Sequence, residues 1–266
     1  MGGILQYFVM IGLLSVVSSD AALAGAWTQP KGQGLVILSV DHSIADRKFD
    51  DAGQARPTDE FQKTEIRTYI EYGLTDWATL VAQPAWRDKK TGGVVGNEAQ
   101  GFGRLDVGLR NRIWKNDSTV LSIQTSVRAP GADDDVAPVG DGDKDWQLDG
   151  RVLLGHGFSL FGRHSFADLQ VGYRRRFGGP ADELRFDLTT GIDVTPKILA
   201  MIQSFNGISV GEAALPFVPT REHKVTASIV YRFDDDWSFQ AGGLMNVAGG
   251  NSLQERGAFV GIWRNF

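Results

Sequence analysis

The sequence predicts an all-β protein, a transmembrane antiparallel up-and-down β-barrel of about twelve strands preceded by a cleaved signal peptide. Three observations carry this. From Leu35 onward the chain repeats segments of about ten or more residues that alternate apolar with polar side chains, the length a tilted membrane strand requires. Aromatic residues gather at the ends of those segments (Tyr72, Trp77, Trp86, Trp114, Trp146, Phe177, Phe233, Trp237 and Trp263), which suits two interfacial girdles. Beyond the first residues, no apolar run approaches the ~20 residues of a spanning helix, so crossing a bilayer demands a closed barrel, which alone satisfies every backbone group in lipid. A soluble antiparallel sheet also alternates, but the number and length of these segments favour the membrane.

Composition agrees. The 266 residues carry a formal net charge of -5, no cysteine and 33 glycines. A mean hydropathy of -0.16 is too polar for a helical membrane bundle. Lack of cysteine excludes disulfide scaffolds, thiol catalysis and zinc-thiolate sites. Mild acidity without a large basic patch argues against nucleic acid as a partner. Abundant glycine fits twisted strands and tight turns.

In chain order, the apolar run Ile4 to Val17 is short for a membrane span and is followed by Ala22-Leu23-Ala24, an A-x-A cleavage pattern. Residues 1–24 are therefore expected to be a signal peptide and 25–266 the barrel domain. No Lys or Arg precedes the apolar run, a departure from the usual pattern.

The strands follow. Ile66, Thr68, Ile70 and Tyr72 share one face, against Glu65, Arg67, Tyr69 and Glu71 on the other. Leu105, Val107, Leu109 and Ile113 oppose Arg104, Asp106, Arg110 and Arg112; Leu184, Phe186, Leu188 and Ile192 oppose Arg185, Asp187 and Thr189. Val225, Ala227, Ile229, Tyr231 and Phe233 oppose Lys224, Thr226, Ser228 and Arg232. Between strands, tight connections (Leu74 to Asp76, Lys115 to Asp117, Thr195 to Lys197, Asp234 to Asp236) largely alternate with longer ones rich in Gly, Pro and acid. These are Asp50 to Glu60, Asp88 to Gln100, Pro130 to Asp145, Ser209 to Glu222 and Ala248 to Arg256. That is the alternation of periplasmic turns and external loops, with both chain ends periplasmic. Two connections break it: Gly157 to Ser165 is long where a turn is expected, and Gly178 to Asp182 is short where a loop is expected.

Assigning the apolar sets to lipid turns the charged sets toward the lumen. The expected lining is Glu65, Arg67, Glu71, Arg104, Asp106, Arg110, Arg112, Arg128, Asp149, Arg151, Asp168, Arg174, Arg176, Arg185, Asp187, Lys224 and Arg232. Cations outnumber anions in this set, and rings of Arg or Lys favour anions in pores. No catalytic residue is expected. A lipid-deacylating barrel would carry a His and a Ser two positions apart on one strand face, and none of His42, His156, His164 or His223 stands so. Asp141, Asp143 and Asp145 form a D-x-D-x-D run that could hold calcium weakly, but Trp146 falls where a calcium loop wants Gly. A solvated acidic loop is the preferred reading, so neither a metal nor another cofactor is expected.

The last strand, Gly257 to Phe266, ends on a phenylalanine and resembles the C-terminal signal that the barrel-assembly machinery reads in outer-membrane proteins. Arg264 departs from that signal at a position usually apolar, and snorkelling to the interface would accommodate it. Three further stretches resemble the outer-membrane family named after the meta-pathway of phenol degradation. They are Gly25-Ala26-Trp27-Thr28-Gln29-Pro30-Lys31-Gly32 before the first strand, Glu71-Tyr72-Gly73-Leu74-Thr75-Asp76 at a turn, and Gly101-Phe102-Gly103-Arg104-Leu105-Asp106-Val107-Gly108 opening a later strand. Arg104 and Leu105 intervene before Asp106, where that family shows a G-x-G-D-like segment. The resemblance implies a barrel in the cell outer membrane taking up small, including aromatic, compounds. The expectation is therefore a channel for passive passage of small solutes, anionic or aromatic compounds among them. The alternative is a non-conducting structural or adhesion barrel with a salt-bridged lumen. Outer-membrane lipid, lipopolysaccharide, the assembly machinery and a small-molecule solute are the expected partners.

Overall fold

The computed structural model describes residues 25–93, 96–131 and 145–266. The expected signal peptide lies outside these residues, as do Asp141 and Asp143. In chain order the strands are β1 (Gly34–Phe49), β2 (Ala55–Thr75), β3 (Ala78–Thr91), β4 (Asn97–Lys115), β5 (Thr119–Ala129), β6 (Gln147–Leu160) and β7 (Arg163–Arg176). They continue with β8 (Asp182–Thr195), β9 (Ile198–Val210), β10 (Arg221–Arg232), β11 (Trp237–Gly250), the two-residue β12 (Ser252–Leu253) and β13 (Arg256–Asn265). Each long strand pairs antiparallel with its sequence neighbour, and β13 closes the sheet on β1 from Leu35↔Asn265 to Ile44↔Arg256. Among the described residues this is a closed barrel of twelve long strands. The chain end completes the seam: Gly34 N donates to Phe266 O at 2.8 Å and Phe266 N to Gly34 O at 3.0 Å.

The period-two pattern forces this closure. Leu38, Val107, Ile113, Val152, Phe186, Ile202, Ile229 and Ile262 all stand exposed on the outer face. That is the apolar band that lipid must cover and water would not tolerate. Arg264, on the same face, meets Asp236 at 2.5 Å and lies over the Trp237 ring at 4.9 Å, at the level of the aromatic girdle.

The connection expected to be long at Gly157 to Ser165 is a correction. β6 and β7 continue to Leu160 and from Arg163, leaving a two-residue turn of Phe161 (φ 53°) and Gly162 (φ 74°). Positive φ at both positions matches the twist of a tight hairpin, while Gly157 and Ser159 interrupt the apolar count that marks a strand. The segment Asp50 to Glu60 is mostly strand as well, because β2 begins at Ala55 and pairs up to Phe49. With 21 residues, β2 is about twice the length a crossing needs. The wall there stands clear of the membrane.

Short turns cluster at one end with residue 25 and Phe266, and longer connections lie at the other. A cysteine replacing Leu215, 90% exposed in the loop after β9, should label from outside intact cells, whereas one replacing Asp235 should not. Labelling of Asp235→Cys alone would invert the orientation.

Candidate functional site in the barrel interior

The interior has three zones. At the short-turn end, residues 25–29 tuck into the barrel, and the exposed residues 30–33 lead from there to β1. Trp27 packs edge-on to Phe166, centroids 6.2 Å apart at 88°. Around it lie Leu35, Leu199, Met201, Val230 and Trp263 on one side and Ala26, Val120 and Leu153 on the other. Bare backbone makes room: a Cβ on Gly155 would come within 2.6 Å of the indole, and one on Gly73 within 2.0 Å of Pro30 O. Polar side chains then hold the segment's backbone. Ala26 N donates to Asp168 at 2.6 Å, Gln29 N to Thr79 at 2.8 Å, Ser122 Oγ to Ala26 O at 2.6 Å, and Arg110 to Trp27 O at 2.9 Å. Glu71, fully buried, accepts from Gln29 Nε2 at 2.7 Å and Arg110 at 2.6 Å, and Tyr69 completes the group. Arg112 donates to Thr28 at 3.2 Å, and Arg232 meets Asp193 at 2.9 Å at this same end.

Above this floor, strands β1 to β8 present a charged wall. Arg67 Nη2 donates to both oxygens of Asp41 (3.0 and 3.1 Å), whereas Arg128 forks onto Asp106 and Arg151 onto Asp149 through Nε and Nη2 (each 2.7 and 2.9 Å). Glu65 takes Arg87 at 2.5 Å and Arg104 at 3.4 Å. Arg174 lies between Asp149 and Glu183, and Arg185 between Glu183 and Asp187. Arg176 stands at the loop end of β7. Across the lumen the central positions of β9 to β11 are neutral, with Thr226 donating to Gln203 at 3.2 Å and Gln240 to Ser228 at 2.9 Å.

The third zone is the loop end. β12 pairs with β1 at Lys48↔Leu253, and Leu253 packs on Ala45 and Phe61. Glu255 receives Lys63 at 2.9 and 3.0 Å and Ser43 at 3.1 Å. Burial opposes its ionisation, but the attraction of Lys63 and Lys224 outweighs this and holds the carboxyl down to about 2. Lys224 pairs with Glu222 at 3.0 Å.

Sequence parity missed Asp41, Lys63, Arg87, Lys89, Asp193, Glu222 and Glu255 as interior groups. Lys63 sits two residues before Glu65 on the same strand, so its signal was present, whereas no interior position on the strand of Asp41 was assigned. On β3 the signal is masked by Pro84 and by the register shift at Ala85/Trp86. The additions narrow the cationic surplus without cancelling it. Glu71, Arg110, Arg112 and Asp168 belong to the floor, where they fasten the N-terminal segment. The histidines disperse: His42 faces Thr64, His156 faces Thr119, His164 faces Asp193 and His223 faces Asn206. Asp145 lies against Gly178, and among the described residues no cluster of three His, Asp or Glu could hold a metal.

The family described as "Putative MetA-pathway of phenol degradation" matches residues 58–261. No curated protein sequence matches the chain. Among solved structures, the chain is similar to the COG4313 outer membrane channel from Pseudomonas putida F1, with TM-score 0.70 and 17% identity over 92% of this chain and 99% of that one. The translocator domain of autotransporter NalP from Neisseria meningitidis gives TM-score 0.53 and 10% identity, covering 90% of each chain. A NanC porin gives 0.52 and 9%, covering 85% of this chain and 98% of that one. At such identities the likeness is one of fold.

Proposed function

The chain belongs to the family described by the MetA-pathway of phenol degradation, and from that premise we propose that it is an outer-membrane channel for passive passage of small solutes, with anionic and aromatic compounds as its cargo. One observation carries this reading. Above the floor the interior is lined by arginines, carboxylates and hydrogen-bonding amides rather than filled by an apolar core, as a solvated path requires and a merely structural wall does not. The solved outer-membrane channel and the porin it resembles support the same reading.

The surplus of arginine and lysine together over carboxylate sets the sign. In a planar bilayer with a salt gradient the reversal potential should show anion preference, weakening at high salt as the field is screened. A cation-selective reversal would refute the charge argument. The close pairs at Asp41, Asp106 and Asp149 favour a second reading, a strut that stiffens a non-conducting barrel; absence of conductance steps both in the parent and in a variant lacking residues 25–31 would establish it.

We further propose that Phe266 and β13 direct insertion by the assembly machinery, with lipopolysaccharide around the external rim. Deleting Phe266 removes two seam hydrogen bonds along with the terminal aromatic ring. Less heat-modifiable protein should then reach the outer membrane; an unchanged amount would count against the idea.

A further inference from the structure

Resting on the placement of lipopolysaccharide around the external rim, we propose that Ser204, Asn206 and His223 form a binding site on the outer wall for the amide-linked, hydroxylated acyl chains of lipid A. The three side chains share the lipid-facing side of β9 and β10, where Asn206 and His223 stand directly opposite each other. Around them Phe186, Ile202, Ile208 and Val247 are apolar and exposed. The ladder sets the depth of the trio. His223 lies near the loop end of β10, whereas Tyr231, packed edge-on to Phe233, marks the short-turn girdle near the other end. With a rise of ~3.3 Å per residue and a strand tilt of about 40°, the two lie about 20 Å apart along the membrane normal. In an apolar band ~25 Å tall that is the outer boundary, where the acyl linkages of lipids lie beneath their headgroups. Polar side chains facing hydrocarbon are costly unless a polar group meets them.

The hydrogen bonds within the trio fix which groups remain for a ligand. The Phe186 carbonyl can only accept, so the Asn206 amide presents Nδ2 to it at 2.6 Å, and the second hydrogen of Nδ2 goes to Ser204 Oγ at 3.0 Å. Oδ1 then faces His223 Nδ1 at 2.9 Å. An amide oxygen carries no proton, so Nδ1 must donate, and the neutral ring is left with a bare acceptor at Nε2. Ser204 accepts from Nδ2 and keeps its own hydrogen, whose one acceptor among the described residues is Asn206 Oδ1 at a long 3.4 Å. The trio therefore offers one acceptor, Nε2, and one donor, the serine hydroxyl, on the same lipid-facing side. That combination separates lipid classes. Glycerophospholipid chains are joined by esters, which accept but have no hydrogen to give Nε2. Lipid A carries amide-linked 3-hydroxyacyl chains, whose N–H or O–H donates to Nε2 while a carbonyl accepts from Ser204. His42, elsewhere on the outer wall, faces the Thr64 hydroxyl, which can donate or accept and so leaves the ring without a fixed tautomer.

The test is native mass spectrometry of purified, detergent-solubilised barrel incubated with an equimolar mixture of lipid A and cardiolipin. Cardiolipin also carries several acyl chains and two phosphates, but it joins its chains by esters alone. The parent should retain lipid A in preference to cardiolipin. Ser204→Ala and His223→Phe should each cut that preference at least about threefold. Asn206→Leu should do the same, because it releases the His223 ring while leaving donor and acceptor in place. His223→Gln, which restores an acceptor, should keep more of the preference than His223→Phe, and His42→Phe should leave it unchanged. Heat-modifiable migration shows whether each variant is folded, and any one folded variant at Ser204 or His223 suffices for the comparison. A parent that prefers lipid A while those folded variants keep the full preference would overturn the site and leave lipopolysaccharide at the rim standing. So would an equal loss in His42→Phe. A parent with no preference for lipid A over cardiolipin would overturn both.

Discussion

Removing residues 25–31 should raise single-channel conductance several-fold. Residues 25–29 lie in the interior of a twelve-strand barrel at the short-turn end, with Trp27 wedged between Phe166 and Gly155. The segment is not a sheet strand. Apart from contacts with Gly73 and the Asp76 turn, its backbone anchors are side chains from distant parts of the wall: Asp168, Thr79, Ser122 and Arg110. Such a segment can leave without unzipping a ladder, whereas displacing a strand would break one on each side. Trp27→Ala should act in the same direction but more weakly, because the backbone anchors persist while the apolar plug shrinks. Planar-bilayer recordings of the three proteins at one salt concentration decide the matter. Identical conductance with and without the segment would mean that the constriction lies elsewhere, with Leu253 and Glu255 at the loop end as the next candidates.

What the sequence could and could not show follows from how the barrel is built. A strand's two faces are separated by a period of two, so once one apolar set is assigned to lipid the lumen residues follow by parity. Glu65, Arg67, Arg104, Asp106, Arg185 and Asp187 were legible for that reason. Parity says which face a residue takes and nothing about height. It could not tell that Glu71, Arg110 and Asp168 sit in the floor while Arg128 and Arg174 sit above it. The same rule assumes that the inner face is polar, and here it fails for Leu153, Phe166, Leu199, Met201 and Val230, which point inward to meet Trp27. Nothing in Ala26-Trp27-Thr28 is periodic, and the partner of Ala26 N lies 142 residues away. Only closure of the barrel brings those groups together. The turn at Phe161-Gly162 was hidden differently, since a left-handed pair without Asn or Asp lacks the usual signature.

Breaking the Glu71–Arg110 pair should destabilise the barrel more than any other single interior change considered above. Glu71 is fully buried and Arg110 2% exposed, with 2.6 Å between Oε1 and Nη1. Glu71→Ala would leave Arg110 with Gln124, Tyr69 and the Trp27 carbonyl as neutral partners but no countercharge. Removing one partner of a buried pair typically costs about 3–5 kcal/mol. Arg110→Met is expected to cost a similar amount, because it strands Glu71 with Tyr69 and Gln29 alone. The double variant, Glu71→Met with Arg110→Met, removes both charges and should cost far less than the two single changes together, since a well-packed apolar replacement of a buried pair is often close to neutral. Equilibrium urea unfolding of barrels refolded into lipid would give the three values. The single changes should also loosen the N-terminal segment, because Gln29 and Trp27 lose anchors, so protease should clip residues 25–31 faster in them than in the parent. Additive losses in the double variant would show that the two residues act separately and that the floor does not depend on their charge pairing.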